Sequence, residues 1–232
     1  SSMERKYRRA AEAVNHAIEG FLNQQKPDNQ AFQKLPAEFS DLSQALQRLA
    51  AHTRQQYEKM TSDAQQIAEA AYKDQVTGLP NRNRFVQTYE EFNKGESQNE
   101  FGIFAITRCT ELQTLNQTRG FQEGDNYVSQ VADIIKKVTA TYKNAALFRL
   151  NSSDFGILLP RVTAKEAENF ALQLQSRFNE YQKLAELDSV AYTGLVSYET
   201  GKALGELLAT ADTSISLAQT KQPNAWHLQK ES

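Results

Sequence analysis

Residues 74–82 read Asp74-Gln75-Val76-Thr77-Gly78-Leu79-Pro80-Asn81-Arg82, and they divide the chain into two parts of different character. Gly78 and Pro80 fix the backbone of a turn, and Asn81 is placed to cap a following helix. Before this turn, residues 1–73 hold few Val, Ile or Phe and many Gln, Ala, Glu and Arg. Such a stretch makes good helix but a poor independent core. After the turn, residues 100–228 contain strand-like runs such as FGIFAIT, ALFRL, FGILLP and SVAYTGLVSY.

Working toward the C-terminus, the pattern predicts a strand at 101–107, helical segments at 111–118 and 123–140, and strands at 145–150 and 154–160. A helix at 164–183, a strand at 188–197, a helix at 203–219 and a short strand at 224–228 complete the order. Strand patterns alternating with helical ones predict an α/β sandwich, with helices covering a central sheet.

Working toward the N-terminus, Tyr7, Ala10, Val14, Ala17 and Phe21 step by three and four and form one narrow seam. Gly20 lies near the end of this helix, and the run NQQKPDNQ then breaks the pattern. A second seam follows Pro36 through Phe39, Leu42, Leu46, Leu49, Thr53 and Met60, and its helix is expected to continue to about Tyr72. Thin stripes at heptad spacing are the pattern of coiled-coil packing, so these helices are expected to bury their seams against a partner chain. The alternative is that both fold back onto the C-terminal part.

Composition narrows the function classes. The chain has 232 residues, with 26 Lys and Arg against 28 Asp and Glu for a formal charge of −2. That balance argues against a general nucleic-acid binder, which carries a basic excess. A mean hydropathy of −0.63 and the lack of a long apolar run leave no expected membrane span in the chain. The single cysteine, Cys109, excludes an internal disulfide and a cysteine-rich zinc site. His16, His52 and His227 are too scattered for a histidine metal cluster. Cys109 has no histidine at triad spacing and reads as a small packing residue rather than a nucleophile. His227 beside Trp226 reads as surface or packing, and no GxxxxGKS, HExxH or Gly-rich dinucleotide turn occurs.

The segment Asp74–Arg82 resembles the DxLTGLPNR opening of GGDEF domains, the diguanylate cyclase fold, and the resemblance runs over residues 74–229. It implies a palm-like, mainly antiparallel sheet sandwiched by helices. The helix, connector of about 14 residues and helix before it resemble a HAMP domain, matched on Gly20 and on Pro36-Ala37-Glu38-Phe39. The implied organisation is an all-α HAMP domain at 4–60, a linking, coiled-coil helix at 61–73 and a degenerate GGDEF domain at 74–229. HAMP modules form parallel four-helix bundles between two chains, which implies a homodimer packed through Val14, Phe21, Phe39, Leu42, Leu46, Leu49 and Met60. A membrane helix usually precedes such a module. Arg5, Lys6, Arg8 and Arg9 are then the cytoplasmic positive flank of a removed span, or else a solvated charge run. Ser1-Ser2-Met3 reads as a cloning remnant rather than a native start.

Active members of the GGDEF family join two GTP molecules, and carboxylates hold divalent metal against the triphosphate because developing phosphate charge must be neutralised. The position implied for the metal-binding Asp of the first strand is Arg108, eight residues before Asn116. A guanidinium is donor-only and cannot ligate Mg²⁺. The signature hairpin is degraded to Asn151-Ser152-Ser153-Asp154-Phe155. Asn151 is a residue type that tolerates a left-handed conformation in place of the first glycine, while Ser152 adds a side chain where nucleotide would lie. Ser153 lacks a carboxylate, and Asp154 is the one acidic residue left. The implied phosphate-binding cations fall on Gln113, Gln219 and Pro223, and the RxxD product-inhibition motif falls on Tyr142 and Ala145. The expectation is therefore an enzymatically inactive domain with no metal or other cofactor.

Asn116 and Asp125 match the family's guanine-reading residues, and Gly120 and Gly124 keep the surrounding turn pattern. They read either as residual guanine binders or as structural groups capping a turn and the helix beginning near 124. Arg108 is a candidate for direct phosphate contact. The whole arrangement resembles the cytoplasmic part of LapD-type cyclic di-GMP receptors of the bacterial inner membrane. That likeness implies a relay between a periplasmic output domain and a following cytoplasmic EAL domain. Two other readings stay open: a GTP-sensing regulator of a neighbouring phosphodiesterase, and a weak diguanylate cyclase.

Overall fold

A computed structural model describes residues 1–23, 32, 37–95 and 100–230. The connector that carries Pro36 lies mostly outside these residues. The chain forms two compact units, Ser1–Glu69 and Ala70–Ser232.

In the first unit, α1 (Ser2–Leu22) begins with a capping box, in which Ser1 and Glu4 satisfy each other's backbone N–H groups. A short 3₁₀ turn at Ala37–Phe39 leads into α2 (Ser40–Tyr72). The apolar contacts are few: Ala17, Phe32 and Ala50 are buried together, with Ile18, Phe21 and Leu46 packed around them. Ser43 donates to the Phe32 carbonyl at 2.5 Å, and Lys6 pairs with Glu38. Among the described residues, no helix is long and apolar enough to cross a membrane.

The second unit is an α/β domain. After α3 (Arg82–Lys94) come β1 (Phe101–Arg108), α4 (Leu112–Arg119), α5 (Phe121–Thr139), β2 (Ala146–Arg149) and β3 (Asp154–Pro160). They are followed by α6 (Ala164–Ala185), β4 (Tyr192–Glu199), α7 (Leu204–Gln219) and β5 (Trp226–Gln229). The sheet order is β2-β3-β1-β4-β5. Every neighbouring pair is antiparallel except β4 and β5, which are parallel because α7 supplies the crossover between them.

Strand β1 is apolar without interruption because helices cover both faces of the sheet. Ile103 and Ala105 point to one side and pack with Val131 and Ile135 of α5 and Phe170 and Leu174 of α6. Phe104 and Ile106 point to the other, where Phe85 and Tyr89 of α3 and Ile215 of α7 meet them. This is the expected α/β sandwich. The largest boundary difference is at β4, which starts at Tyr192 rather than near 188. The N–H groups of Val190 and Ala191 both donate to Asn224 Oδ1, at 2.6 and 3.2 Å, so an amide side chain replaces strand pairing there.

Helix α7 lies close on β4 because residue 194 is glycine. A Cβ there would stand 2.6 Å from the Ile215 nitrogen and 2.7 Å from the Ala211 carbonyl oxygen, both backbone atoms. Gly194→Ala must push α7 off the sheet, and it is expected to cost about 1–3 kcal/mol of stability, read by urea denaturation.

Candidate functional site

The turn after α2 is built by its own side chains. Asp74 accepts from the Thr77 N–H at 2.8 Å and from the Thr77 hydroxyl at 2.6 Å, while Gly78 takes φ +73°. Asn81 caps α3 as expected, accepting from the Arg84 N–H at 3.2 Å, and its amide donates to the Ala71 carbonyl. Arg149, at the end of β2, binds this turn. Its backbone N–H donates to Pro80 at 2.8 Å, and its side chain donates to Asp74 at 3.0 Å. The same guanidinium donates to the carbonyls of Asn151 and Ser152, at 3.1 and 2.7 Å, and lies over the Phe155 ring. Burial alone would raise the Asp74 carboxyl, but its bonds from Thr77 and Arg149 outweigh that and hold it below the usual carboxylate value.

The hairpin 151–155 does not use the left-handed conformation that Asn151 allows. Among the described residues, the non-glycine residues at positive φ are Asn144, Arg161, Glu186 and Asn224. Asn151 instead turns the chain with its side chain: Oδ1 accepts from the N–H groups of Ser153 and Asp154, at 3.0 and 2.9 Å. This is the Asx-type turn that removes the need for a glycine. The Asn151 amide also donates to Asp154 Oδ2 at 3.1 Å.

Asp154 is buried, and its carboxylate is gripped by Arg108. The register of β1 and β3 places the two residues opposite each other. Arg108 Nε reaches Oδ1 at 2.8 Å and Nη2 reaches Oδ2 at 3.0 Å, a two-pronged ion pair. Nη2 also donates to Asp212 of α7 at 2.9 Å. The hydrogen bonds to Asp154 raise the guanidinium pKa still further above its usual value. Arg108 is thus already held by two carboxylates rather than standing free for a phosphate.

Beside the hairpin is a cavity of about 830 Å³, lined by Arg108, Leu112, Gln113, Asn116, Phe121 and Ser153 among others. Asn116 lies on this wall against Gly124, where a Cβ would stand 1.8 Å from its Oδ1. Asp125 is exposed and is not part of the lining. Neither residue caps α5, whose N-cap is Gly120 at φ +90° with no side-chain cap bond. Gln219 ends α7 and Pro223 is exposed beyond it. Tyr142 packs edge-on against Phe170. Cys109 is fully enclosed, and burial pushes its thiol up to about 12. His227 sits in β5 with Nδ1 3.2 Å from Lys221 Nζ.

This geometry belongs to a known architecture: the family described as diguanylate cyclase, GGDEF domain, matches residues 71–225. The chain belongs to the GGDEF family. Escherichia coli (strain K12) RNase E specificity factor CsrD is 25% identical over 203 residues, covering 85% of this chain and 30% of that protein. Vibrio cholerae LapD S helix-GGDEF-EAL, bound to c-di-GMP, has a similar fold at TM-score 0.64 and 22% identity, covering 75% of this chain and 40% of that one. The coiled coil and GGDEF domain of DgcB from Caulobacter crescentus, in complex with c-di-GMP, superposes at TM-score 0.65 and 18% identity, covering 81% of this chain and 100% of that one. The chain therefore spans well under half the length of CsrD and of that LapD structure.

The divalent metal that the GGDEF fold implies does not fit the residues present. Both Asp154 oxygens are taken by the Arg108 fork, and Ser153 offers only a hydroxyl. Among the described residues, no three of His, Cys, Asp or Glu stand together as a metal-holding group.

The seam residues of the first unit divide. Phe21 and Leu46 join its small apolar cluster, and Val14 and Phe39 are half-buried. Leu42, Leu49 and Met60 stay exposed on α2, Met60 at 70%. Two pairings in the GGDEF domain were invisible to motif reading. Arg149 and Asp74 pair across 75 positions, and Asp212 meets Arg108 across 104. No local pattern signals such pairs.

Asp74→Asn leaves the buried Arg149 guanidinium short of its anion and is expected to cost about 1–3 kcal/mol near neutral pH. Because the folded-state pKa of Asp74 lies below the unfolded value, its contribution is complete above about pH 4 and fades as pH falls through the folded value. Urea titrations of the parent chain and the variant should show the deficit shrinking below that pH. Separately, native Cys109 is expected to react with a thiol reagent at about pH 8 roughly a thousandfold more slowly than a free cysteine, from its thiolate fraction alone. Unfolding should abolish the protection.

Proposed function

We propose that the chain is a catalytically silent relay module of an inner-membrane cyclic di-GMP receptor of LapD type. It carries conformational state on the cytoplasmic side, between a periplasmic output domain and a following EAL domain. The observation that carries this reading is the Arg108 fork on Asp154, the signature hairpin's one carboxylate. Joining two GTP molecules needs a metal to offset charge on the triphosphate, and a guanidinium cannot replace that ion's coordination. The sequence likeness to CsrD and the fold likeness to the LapD S helix-GGDEF-EAL protein support a regulatory rather than a synthetic role.

The relay element in this proposal is a HAMP-like helix pair followed by a linking helix, paired between two copies. Leu42, Leu49, Met60 and Ile67 are exposed along α2 at steps of seven, eleven and seven, the spacing of a coiled-coil stripe with one stutter. Covering that stripe with a second copy explains why a helix of 33 residues has only Ser43 and Ala50 buried in the single chain. The basic start, Arg5 to Arg9, then faces the membrane surface. A GTP-sensing role is the second reading, favoured by Asn116 in the wall of the 830 Å³ cavity. The exposure of Asp125, outside the cavity lining, weighs against it.

Incubation with GTP and Mg²⁺ or Mn²⁺ is expected to yield no cyclic di-GMP, and clear turnover would refute the silent reading. Met60→Cys is expected to form an interchain disulfide under mild oxidation, with the chain dimeric in light scattering. A strict monomer at high concentration overturns the relay.

A further inference from the structure

Five charged side chains of alternating sign run in hydrogen-bonded sequence along one end of the sheet. Asp74, beside the end of α2, holds Arg149 at 3.0 Å. Arg149 donates to the carbonyls of Asn151 and Ser152, and the Asn151 amide donates to Asp154 at 3.1 Å. Asp154 takes the fork of Arg108, and Arg108 reaches Asp212 on α7 at 2.9 Å. Arg149 ends β2, Asp154 starts β3 and Arg108 ends β1, so the series crosses three adjacent strands at one edge and finishes on the helix over the next. Arg108 holds two groups at once and Arg149 three, and the fork geometry makes each grip directional.

Where a divalent ion joins such groups, their connection comes and goes with the ion. Here the joining cation is covalently part of β1. Asp154 has 7% of its side chain exposed and Arg108 27%, so this central link is poorly screened by solvent, whereas Asp212 at 60% forms the looser end.

We propose that this series is a built-in strut: Arg108 takes over the joining role of a metal ion and couples the turn after α2 to α7. The strut gives the relay reading its physical route, and rests on that reading only for its use in the parent protein. As a coupling between Asp74 and α7 it is a property of this chain by itself.

The test is amide hydrogen exchange on the chain, carried out on the parent, Asp74→Asn, Arg108→Ala and the double variant. In the parent background, Asp74→Asn is expected to speed exchange in α7 around Asp212 by about twofold or more, the scale of coupling within one charged network. In the Arg108→Ala background the same change should leave α7 exchange unaltered. An equal effect of Asp74→Asn in both backgrounds, or none in either, overturns the strut. Should Arg108→Ala fail to fold, Asp212→Asn serves instead, because it breaks the exposed last link alone and must likewise abolish the effect. EDTA or Mg²⁺ is expected to leave hairpin protection in the parent unchanged; a rise in protection on adding Mg²⁺ overturns the claim that Arg108 does the ion's work. The exchange comparison reads Asp74 against Asp212 within one chain, whereas the relay is read by light scattering and the Met60→Cys disulfide, so a failed strut and a failed relay are separate results.

Discussion

Arg108 stands opposite Asp154 because β1 pairs antiparallel with β3 from Gly102–Pro160 onward. β1 is held in that register from both sides, by β3 and by β4, and its side chains fill the two cores on opposite faces of the sheet. A slip of one residue would exchange Ile103 and Ala105 with Phe104 and Ile106 and spoil both cores together. The register that secures the fold therefore also delivers a guanidinium to the mouth of the hairpin, and the rest of the site is arranged around it.

A buried cation and anion stabilise a fold only where the geometry returns what desolvation takes away. Arg108 meets that condition through two short bonds to one carboxylate and a third to Asp212. Arg149 meets it with Asp74, two hairpin carbonyls and the Phe155 ring. The hairpin between them has no paired glycines, yet its backbone turns because the Asn151 side chain satisfies two N–H groups that a tight turn would otherwise leave open. A turn without glycines and a hairpin with a single carboxylate are thus accommodated by side chains rather than by distortion of the sheet.

Much of the fold was legible in the sequence for local reasons. The turn at Gly78 and Pro80, the Asn81 cap and the two-faced apolar run of β1 are signals carried by neighbouring residues. The start of β4 was not, because Asn224 reaches the backbone of Val190 and Ala191 from across the fold and displaces strand pairing. Nor was the conformation of Asn151: residue type allows both a left-handed backbone and an Asx turn, and the N–H groups of Ser153 and Asp154 decide between them. At the guanine-matched pair, sequence placed Asn116 and Asp125 together in one motif, whereas the fold puts Asn116 on the cavity wall and leaves Asp125 in solvent.

By itself, the amino-acid sequence determined the α/β class, the order of its elements, the membership carried by Asp74–Arg82 and the presence of an arginine at the end of the first strand. These depend on composition, periodicity and residue identity, all of which are local. Only the tertiary structure decided what Arg108 does. Its partners lie 46 and 104 positions away, and whether a lone cation is free for a phosphate or locked between two carboxylates depends on distances that only strand register and helix packing set.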